Sequence, residues 1–269
     1  MKSNAQSLLP RLKAWFAEYV HQFSSDDAII QENMDLKVEH TRRVCEAIGD
    51  IGRSLDLSGE DLCLAEASGL LHDIGRFEQF RQYRTFADYR SANHAELGVK
   101  VIRANRVLDG LEPASADIIV RVVGYHNLVA LPVGEEERCL FFLKLLRDAD
   151  KVDIWRVVTE YYQGAENNRN RTVELDLPDI DRISDPVHDA LMNGRLARMG
   201  DLKTLHDFKL LQIGWIYDVN FPRTFQIVHE KEYLEKIRNA LPRECPRIND
   251  LYERARAHLE RNLSRNKLA

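Results

Sequence analysis

The sequence predicts an all-α fold. Apolar residues recur every three or four positions in most segments, the period of a helix with one buried face, and strand-like alternation is scarce. The 269 residues are 44% hydrophobic and 30% charged, the balance of a globular chain that buries a sizeable core. We therefore expect packed helices without a sheet.

The first helices are predicted on either side of position 55. The segment from Asp35 to Gly52 carries a helical stripe of Val38, Thr41, Cys45 and Ile48. Ser58, followed by two acidic residues, is typical of a helix start, and apolar positions continue from there to Leu71. Gly75 is expected to end that helix. Positions 72 and 73, a His-Asp doublet, would then lie at a helix end.

Two later helices are predicted before residue 160. Ile118 to Val123 form a short apolar helix that runs into His126, and a longer helix spans Leu140 to Ile154. The turn-rich stretch 164–186 then separates this block from a second one, and we interpret it as an excursion and not as a domain boundary.

The second block is again helical in period. Its predicted helices cover 202–217, 230–241 and 248–263. The last has one apolar stripe, made of Leu251, Ala255, Leu259 and Leu263. We expect this block to pack as a structural element or to take part in a homo-oligomer, whose formation is left open.

Charge and composition exclude several classes of function. A net charge of -5 provides no basic field, so duplex nucleic acid is not an expected partner. Apolar runs stay well short of the roughly 20 residues that a membrane helix needs. The first thirty residues lack the apolar run of a secretory signal, and the four cysteines have no paired spacing. We expect a cytoplasmic protein without membrane partners.

Two positions suggest metal chemistry. Asp150 follows Leu143 and Leu146 at helical spacing, so its carboxylate should point inward with them. A buried ionised carboxylate must be paired, protonated or bound to a cation. His72 directly follows two leucines, and Asp73 beside it offers an oxygen ligand. A single His-Asp doublet is nonetheless common, and most such histidines are structural.

An ordered series of residues makes the metal hypothesis specific. The series is His40, His72-Asp73, His94, His126 and Asp150. Its strings Val38-Glu39-His40-Thr41-Arg42, Leu70-Leu71-His72-Asp73-Ile74-Gly75-Arg76 and Asp148-Ala149-Asp150-Lys151-Val152-Asp153 resemble the HD superfamily of metal-dependent phosphohydrolases. The resemblance implies a five-helix HD core over about residues 30–160. Length, composition and periodicity favour one elaborated domain, 1–269, with an excursion over 161–186 and a C-terminal helical extension over 187–269.

The same resemblance implies a binuclear centre. In the six-ligand branch, His40, His72, Asp73 and Asp150 would hold one ion, His94 and His126 the other, and Asp73 would bridge both. The alternative for each of the two added histidines is a helix cap or a buried hydrogen bond. Of the two acidic residues near the end of the series, the family pattern selects Asp150, and Asp148 is interpreted as a solvated residue or as one behind the ligands.

Basic residues are the candidates for phosphate binding. Arg76 stands where mononuclear members often carry a glutamate, and a guanidinium can bind phosphate through bidentate hydrogen bonds. Lys151, next to the last ligand, is a second candidate by resemblance, with an ordinary surface lysine as the alternative. Lys203 is a candidate for substrate binding, with a structural role for its segment as the alternative. Together with Asp73, Arg76 and Lys151 are the predicted catalytic residues.

The function implied is hydrolysis of a phosphomonoester or phosphodiester, on a nucleotide or another small phosphorylated molecule. A hydroxide bridging two divalent ions would attack phosphorus, and the ions (Fe or Mn, with Mg, Ni or Zn as alternatives) would neutralise charge on the phosphate oxygens. Two alternatives stay open: a di-iron oxygenase of HD type, which iron content and oxygen consumption would reveal, and a non-catalytic HD signalling module.

Overall fold

The computed structural model describes residues 5–164 and 174–265, and in these ranges the protein is helical without any strand. The predicted all-α fold is confirmed. The helices are α1 (Ala5–His21), α2 (Ala28–Ser54), α3 (Gly59–Leu71), α4 (Gly75–Tyr83), α5 (His94–Ala104), α6 (Pro113–Tyr125), α7 (Glu137–Gly164), α8 (Asp185–Met192), α9 (Leu205–Gly214), α10 (Pro222–Glu230), α11 (Tyr233–Asn239) and α12 (Pro246–Arg265).

The chain divides into two compact units, Met1–Asp150 and Lys151–Ala269. The division falls within α7, so the expectation of one elaborated domain with an HD core over 30–160 stays a prediction. Part of the predicted excursion, residues 165–173, lies outside the described residues. None of the described helices is long and apolar enough to cross a membrane.

The starts of several helices follow from their capping residues. Asp27 accepts hydrogen bonds from the backbone of Ile29 and Ile30 at the start of α2. Ser58, the predicted start of α3, accepts from the backbone nitrogen of Asp61. Asn93 and Glu112 cap α5 and α6 in the same way. Each cap satisfies amide groups that the first turn leaves without partners.

The prediction for Gly75 is wrong, because α3 ends at Leu71 and Gly75 begins α4. Its missing side chain allows a close approach of helices instead. A Cβ atom at this position would lie 2.2 Å from the carbonyl oxygen of His94 and 2.4 Å from the backbone nitrogen of Gly98. Gly75 therefore lets α4 pack directly against α5, and α5 begins with His94.

The first unit has its core where α3 packs against α1, α2 and α6. Side chains from these helices are fully buried, among them Ile48, Leu71 and Ile119. Helix α4 adds Phe77 to the same interior. His40, the His72-Asp73 doublet and His126 lie on or directly after helices of this core.

The second unit is a separate packing of α8 to α12. Helix α12 packs on α8, α9, α10 and α11, and three residues of its predicted stripe, Leu251, Ala255 and Leu259, are buried, whereas Leu263 is half-buried. The indole nitrogen of Trp155, in the last part of α7, donates to the carbonyl oxygen of Gln212 in α9, at 2.8 Å. These contacts fit the structural role expected for the block.

Candidate metal centre

All six candidate ligands lie in the first unit, on five elements. His40 lies in α2, the doublet follows α3, His94 begins α5, His126 follows α6, and Asp150 lies in α7. The structure brings them into two groups of three, His40 with His72 and Asp150, and Asp73 with His94 and His126. Within each group, one ligand atom from each residue lies within 4.8 Å of the others.

The first group is centred on His40. Its Nε2 atom lies 3.2 Å from Nε2 of His72 and 3.2 Å from Oδ1 of Asp150. His40 and His72 are buried, whereas the side chain of Asp150 is 22% exposed. Two imidazoles and a carboxylate thus lie close enough together to face one point.

The second group lies beside the first and shares Asp73 with it. Nε2 of His94 and Nε2 of His126 are 3.0 Å apart. Oδ1 of Asp73 lies 3.5 and 3.8 Å from these two nitrogens. Its other oxygen, Oδ2, faces the first group instead, 3.5 Å from Nε2 of His40 and 3.7 Å from Nε2 of His72. The carboxylate therefore presents one oxygen to each pair of histidines.

Hydrogen bonds at the far side of the rings fix which nitrogens are free for a metal. Nδ1 of His72 donates to the carbonyl oxygen of Gly69, and Nδ1 of His126 donates to that of Val123, each at 2.7 Å. A carbonyl can only accept, so each of these rings, when neutral, has its lone pair on Nε2. Nδ1 of His94 donates in the same way to the carboxylate of Asp88, at 2.7 Å. Such outer partners orient metal-binding histidines.

Burial keeps these histidines neutral. It lowers the pKa of His94 and of His126 to about 4, and it also lowers the pKa of His72. Burial acts in the opposite direction on the pKa of Asp73, but nearby charges, with Lys37 the strongest, hold that pKa well below its usual range. Neutral imidazoles and ionised carboxylates are the forms that bind metal ions.

The donor set fits divalent ions. When His94 and His126 are neutral, their Nε2 lone pairs, 3.0 Å apart, repel each other unless a proton or a cation lies between them. Nitrogens at about 2.1 Å from one ion and roughly 90° apart would be separated by about 3.0 Å, close to this spacing and to the 3.2 Å between Nε2 of His40 and Nε2 of His72. Imidazole and carboxylate donors together suit Mn, Fe, Ni or Zn.

Asp88, which is not among the residues predicted from the sequence, connects several side chains behind the ligands. Its carboxylate accepts hydrogen bonds from His94, from Arg76 at 3.1 Å, from Gln79 at 2.8 Å and from Asn127 at 3.2 Å. Although burial opposes it, the hydrogen bond from His94 lowers the pKa of Asp88 to about 2. A carboxylate behind a metal-binding histidine is a general expectation, but nothing local in the sequence marks this one.

Lys37, also not predicted, contacts the shared carboxylate. Its Nζ atom donates to Oδ2 of Asp73 at 2.8 Å. Lys37 precedes His40 by three positions on α2, so the two side chains share a helical face. That spacing is a signal from which this residue could have been predicted.

The structure surrounds Arg76 with protein acceptors. Its Nε lies 3.3 Å from Oδ1 of Asp73, and its Nη1 donates to Gln79, to the carbonyl oxygen of Phe86 and to Asp88. Among the described residues, its Nη2 has no hydrogen-bond partner. A guanidinium so engaged orients Asp73 and Asp88, and the predicted phosphate contact rests on Nη2 alone.

The other predicted basic residues belong to the second unit. Lys151 is buried and forms an ion pair with Asp218, at 2.7 Å. Lys203 is exposed, and its Nζ donates to the carbonyl oxygen of Gly200. Their roles toward substrate stay predictions. Asp148 is fully buried, so its interpretation as a solvated residue is wrong.

A separate cavity of about 540 Å³ lies in the first unit and is lined by none of the six candidate ligands. Its walls include Phe16, Thr41, Cys45 and Leu70, with Lys13 and Arg53 among its charged residues. The candidate metal centre is therefore distinct from this space.

The comparisons with known proteins give one match. Residues 38–155 match the family model of the HD domain, and all six candidate ligands lie in that range. The match covers less than half of the 269 residues. It supports the resemblance to the HD superfamily, whose members are mostly metal-dependent hydrolases. No curated protein and no solved structure matches the chain.

Proposed function

We propose that this protein is a metal-dependent phosphohydrolase that acts on a phosphomonoester or phosphodiester of a small molecule. In this proposal one divalent ion is held by His40, His72 and Asp150, and a second by His94 and His126. Asp73 would serve as a ligand of both ions. The site residues and the number of ions are part of the proposal.

The observation that carries it is the position of the Asp73 carboxylate. One oxygen faces the His94–His126 pair and the other faces the His40–His72 pair. The carboxylate is buried among four histidines, with Lys37 and Arg76 as its cationic partners, and its two-sided placement suits a bridge between two metal ions. Two bound divalent ions would supply an activated water and would neutralise phosphate charge.

The chain's own residues complete this chemistry by orientation. Asp88 holds the ring of His94, and the backbone carbonyls of Gly69 and Val123 hold those of His72 and His126. Arg76, whose Nη2 is available, is proposed to bind a phosphate oxygen while its other nitrogens stay on Asp73 and Asp88. Fixed charged and polar groups that stabilise the transition state usually account for most of the rate enhancement in such reactions.

The test combines metal analysis with a panel of phosphorylated substrates. Purified protein, reloaded with Mn²⁺ or Fe²⁺ after chelation, is expected to contain up to two ions per chain and to release phosphate from at least one class of substrate. Asp73→Asn should abolish both properties, whereas Asp26→Asn, at an exposed residue of the same unit, should change neither. Protein that binds no divalent ion would refute the proposal.

The same preparations distinguish the proposed hydrolase from the oxygenase alternative. Iron-loaded protein that consumes oxygen with a polyol or a phosphonate, and releases no phosphate from any ester, would replace hydrolysis by oxygenase chemistry at the same ligands. Metal binding with neither reaction would favour the non-catalytic module.

A further inference from the structure

Lys37 lies against the one carboxylate that both halves of the centre share. Its Nζ atom is 2.8 Å from Oδ2 of Asp73, the oxygen that faces His40 and His72. The side chain of Lys37 is 16% exposed, whereas that of Asp73 is 4% exposed, so Lys37 lies between the buried carboxylate and the surface. A positive charge at this oxygen occupies part of the space in which a cation would be held.

The ammonium of Lys37 can donate more hydrogen bonds than it does here. Among the described residues, Asp73 is the one hydrogen-bond partner of Nζ, although an ammonium has three donors. The ring of Phe86 lies beside it, with 5.3 Å between Nζ and the ring centroid, and the same ring lies 6.0 Å from Cζ of Arg76. Two cations with free donors, Lys37 and Arg76, thus flank Asp73 next to one aromatic ring.

We propose that Lys37 competes with a divalent ion for Asp73 and that it binds the phosphate group of the substrate when Asp73 binds metal. This inference rests on the proposed function and names a substrate-binding residue of that site. An ammonium deprived of its carboxylate partner in a half-buried position needs another anion, and a phosphate oxygen is one that the proposed reaction brings.

The competition follows from charge. Lys37 contributes one positive charge within hydrogen-bond distance of the oxygen on which the first ion depends, and like charges this close repel even where water screens them. Removing that charge should strengthen metal binding while it weakens phosphate binding. A merely structural lysine would not move the two affinities in opposite directions.

The experiment measures both affinities in the full chain. Metal-free protein is titrated with Mn²⁺ by calorimetry, and Mn²⁺-loaded protein is titrated with inorganic phosphate. The variants are Lys37→Met, which keeps the length without the charge, Lys37→Arg, which keeps the charge, and Lys100→Met, a control at an exposed lysine of α5. If Lys37→Met does not fold, as judged by its thermal unfolding, Lys37→Gln takes its place.

For Lys37→Met we expect Mn²⁺ to bind roughly tenfold more tightly and phosphate roughly tenfold more weakly, about the effect of one charge and one charge-assisted hydrogen bond. Lys37→Arg and Lys100→Met should stay within about threefold of wild type in both titrations. Unchanged or weaker Mn²⁺ binding in Lys37→Met, or unchanged phosphate binding, overturns the inference and leaves the proposed function standing. Absence of Mn²⁺ binding in wild type and in all variants overturns both.

Discussion

Replacing Gly75 by alanine tests whether the close packing of α4 on α5 builds the second half of the centre. The added Cβ would lie 2.2 Å from the carbonyl oxygen of His94 and 2.4 Å from the nitrogen of Gly98. Both obstacles are backbone atoms, so no side chain can rotate out of the way, and α5 would have to retreat by roughly 1 Å. His94, as the first residue of α5, would move with it.

Two opposing effects determine how much Gly75→Ala changes the free energy of unfolding. Overpacking of this kind costs about 3 kcal/mol, whereas replacing glycine by alanine in a helix gains up to about 1 kcal/mol. The matched control is Gly59→Ala at the start of α3, where a Cβ would meet nothing within 4 Å and only the gain applies. The two variants should therefore differ in free energy of unfolding by about 3 kcal/mol.

Urea denaturation of the metal-free proteins measures this difference, and elemental analysis after Mn²⁺ loading measures the consequence for the centre. Gly75→Ala is expected to lose the ion assigned to His94 and His126 and to keep the one assigned to His40, His72 and Asp150. The reasoning fails if Gly75→Ala matches Gly59→Ala in stability, or if it is destabilised yet retains two ions at wild-type affinity.

Two substitutions and a change of pH test other residues of the candidate metal centre. His126→Ala should reduce the metal content from two ions to one and leave the first group intact, and a retained second ion would contradict its assignment. Asp88→Asn should weaken metal binding about 10- to 100-fold by loosening His94, measured by Mn²⁺ titration, and an unchanged affinity would make Asp88 merely structural. The metal-free protein should lose stability as the pH falls from 6.5 to about 4. In this interval His94 and His126 become protonated in the unfolded chain but stay neutral in the folded protein, where the pKa of each is about 4. Each histidine should contribute a loss on the order of 3 kcal/mol by pH 4, and a stability that stays constant over this interval would refute their buried neutral state.

Helices and their starts were predictable because their causes are local. The period of Val38, Thr41 and Ile48 lies within one segment, and so does the cap at Ser58. The part that Gly75 plays was not predictable, because its cause is α5, some twenty residues away. A glycine after a helix indicates a stop when only its own segment is considered.

The candidate ligands were predictable for a different reason, namely that His40, the doublet and Asp150 resemble a known series. Asp88, the carboxylate behind His94, had no such signal. Asp88 is at least six residues from any ligand in the sequence, and only the fold brings it to His94, Arg76 and Asn127. Residues behind a metal site are selected by three-dimensional contact, which residue spacing does not encode.

Helix α7 shows where periodicity stops being informative. The spacing from Leu143 and Leu146 predicts that Asp150 points inward, whereas Asp148 is interpreted as a solvated residue or as one behind the ligands. Yet Leu145, Leu146, Asp148 and Ala149 point in different directions around α7 and are all fully buried, so burial is not confined to one face of this part of the helix. When a helix is buried on most sides, the positions of its apolar residues do not indicate which face points toward the core. What distinguishes the two aspartates is their surroundings: Oδ1 of Asp150, on a partly exposed side chain, lies 3.2 Å from Nε2 of His40, whereas Asp148 belongs to neither group of candidate ligands among the described residues.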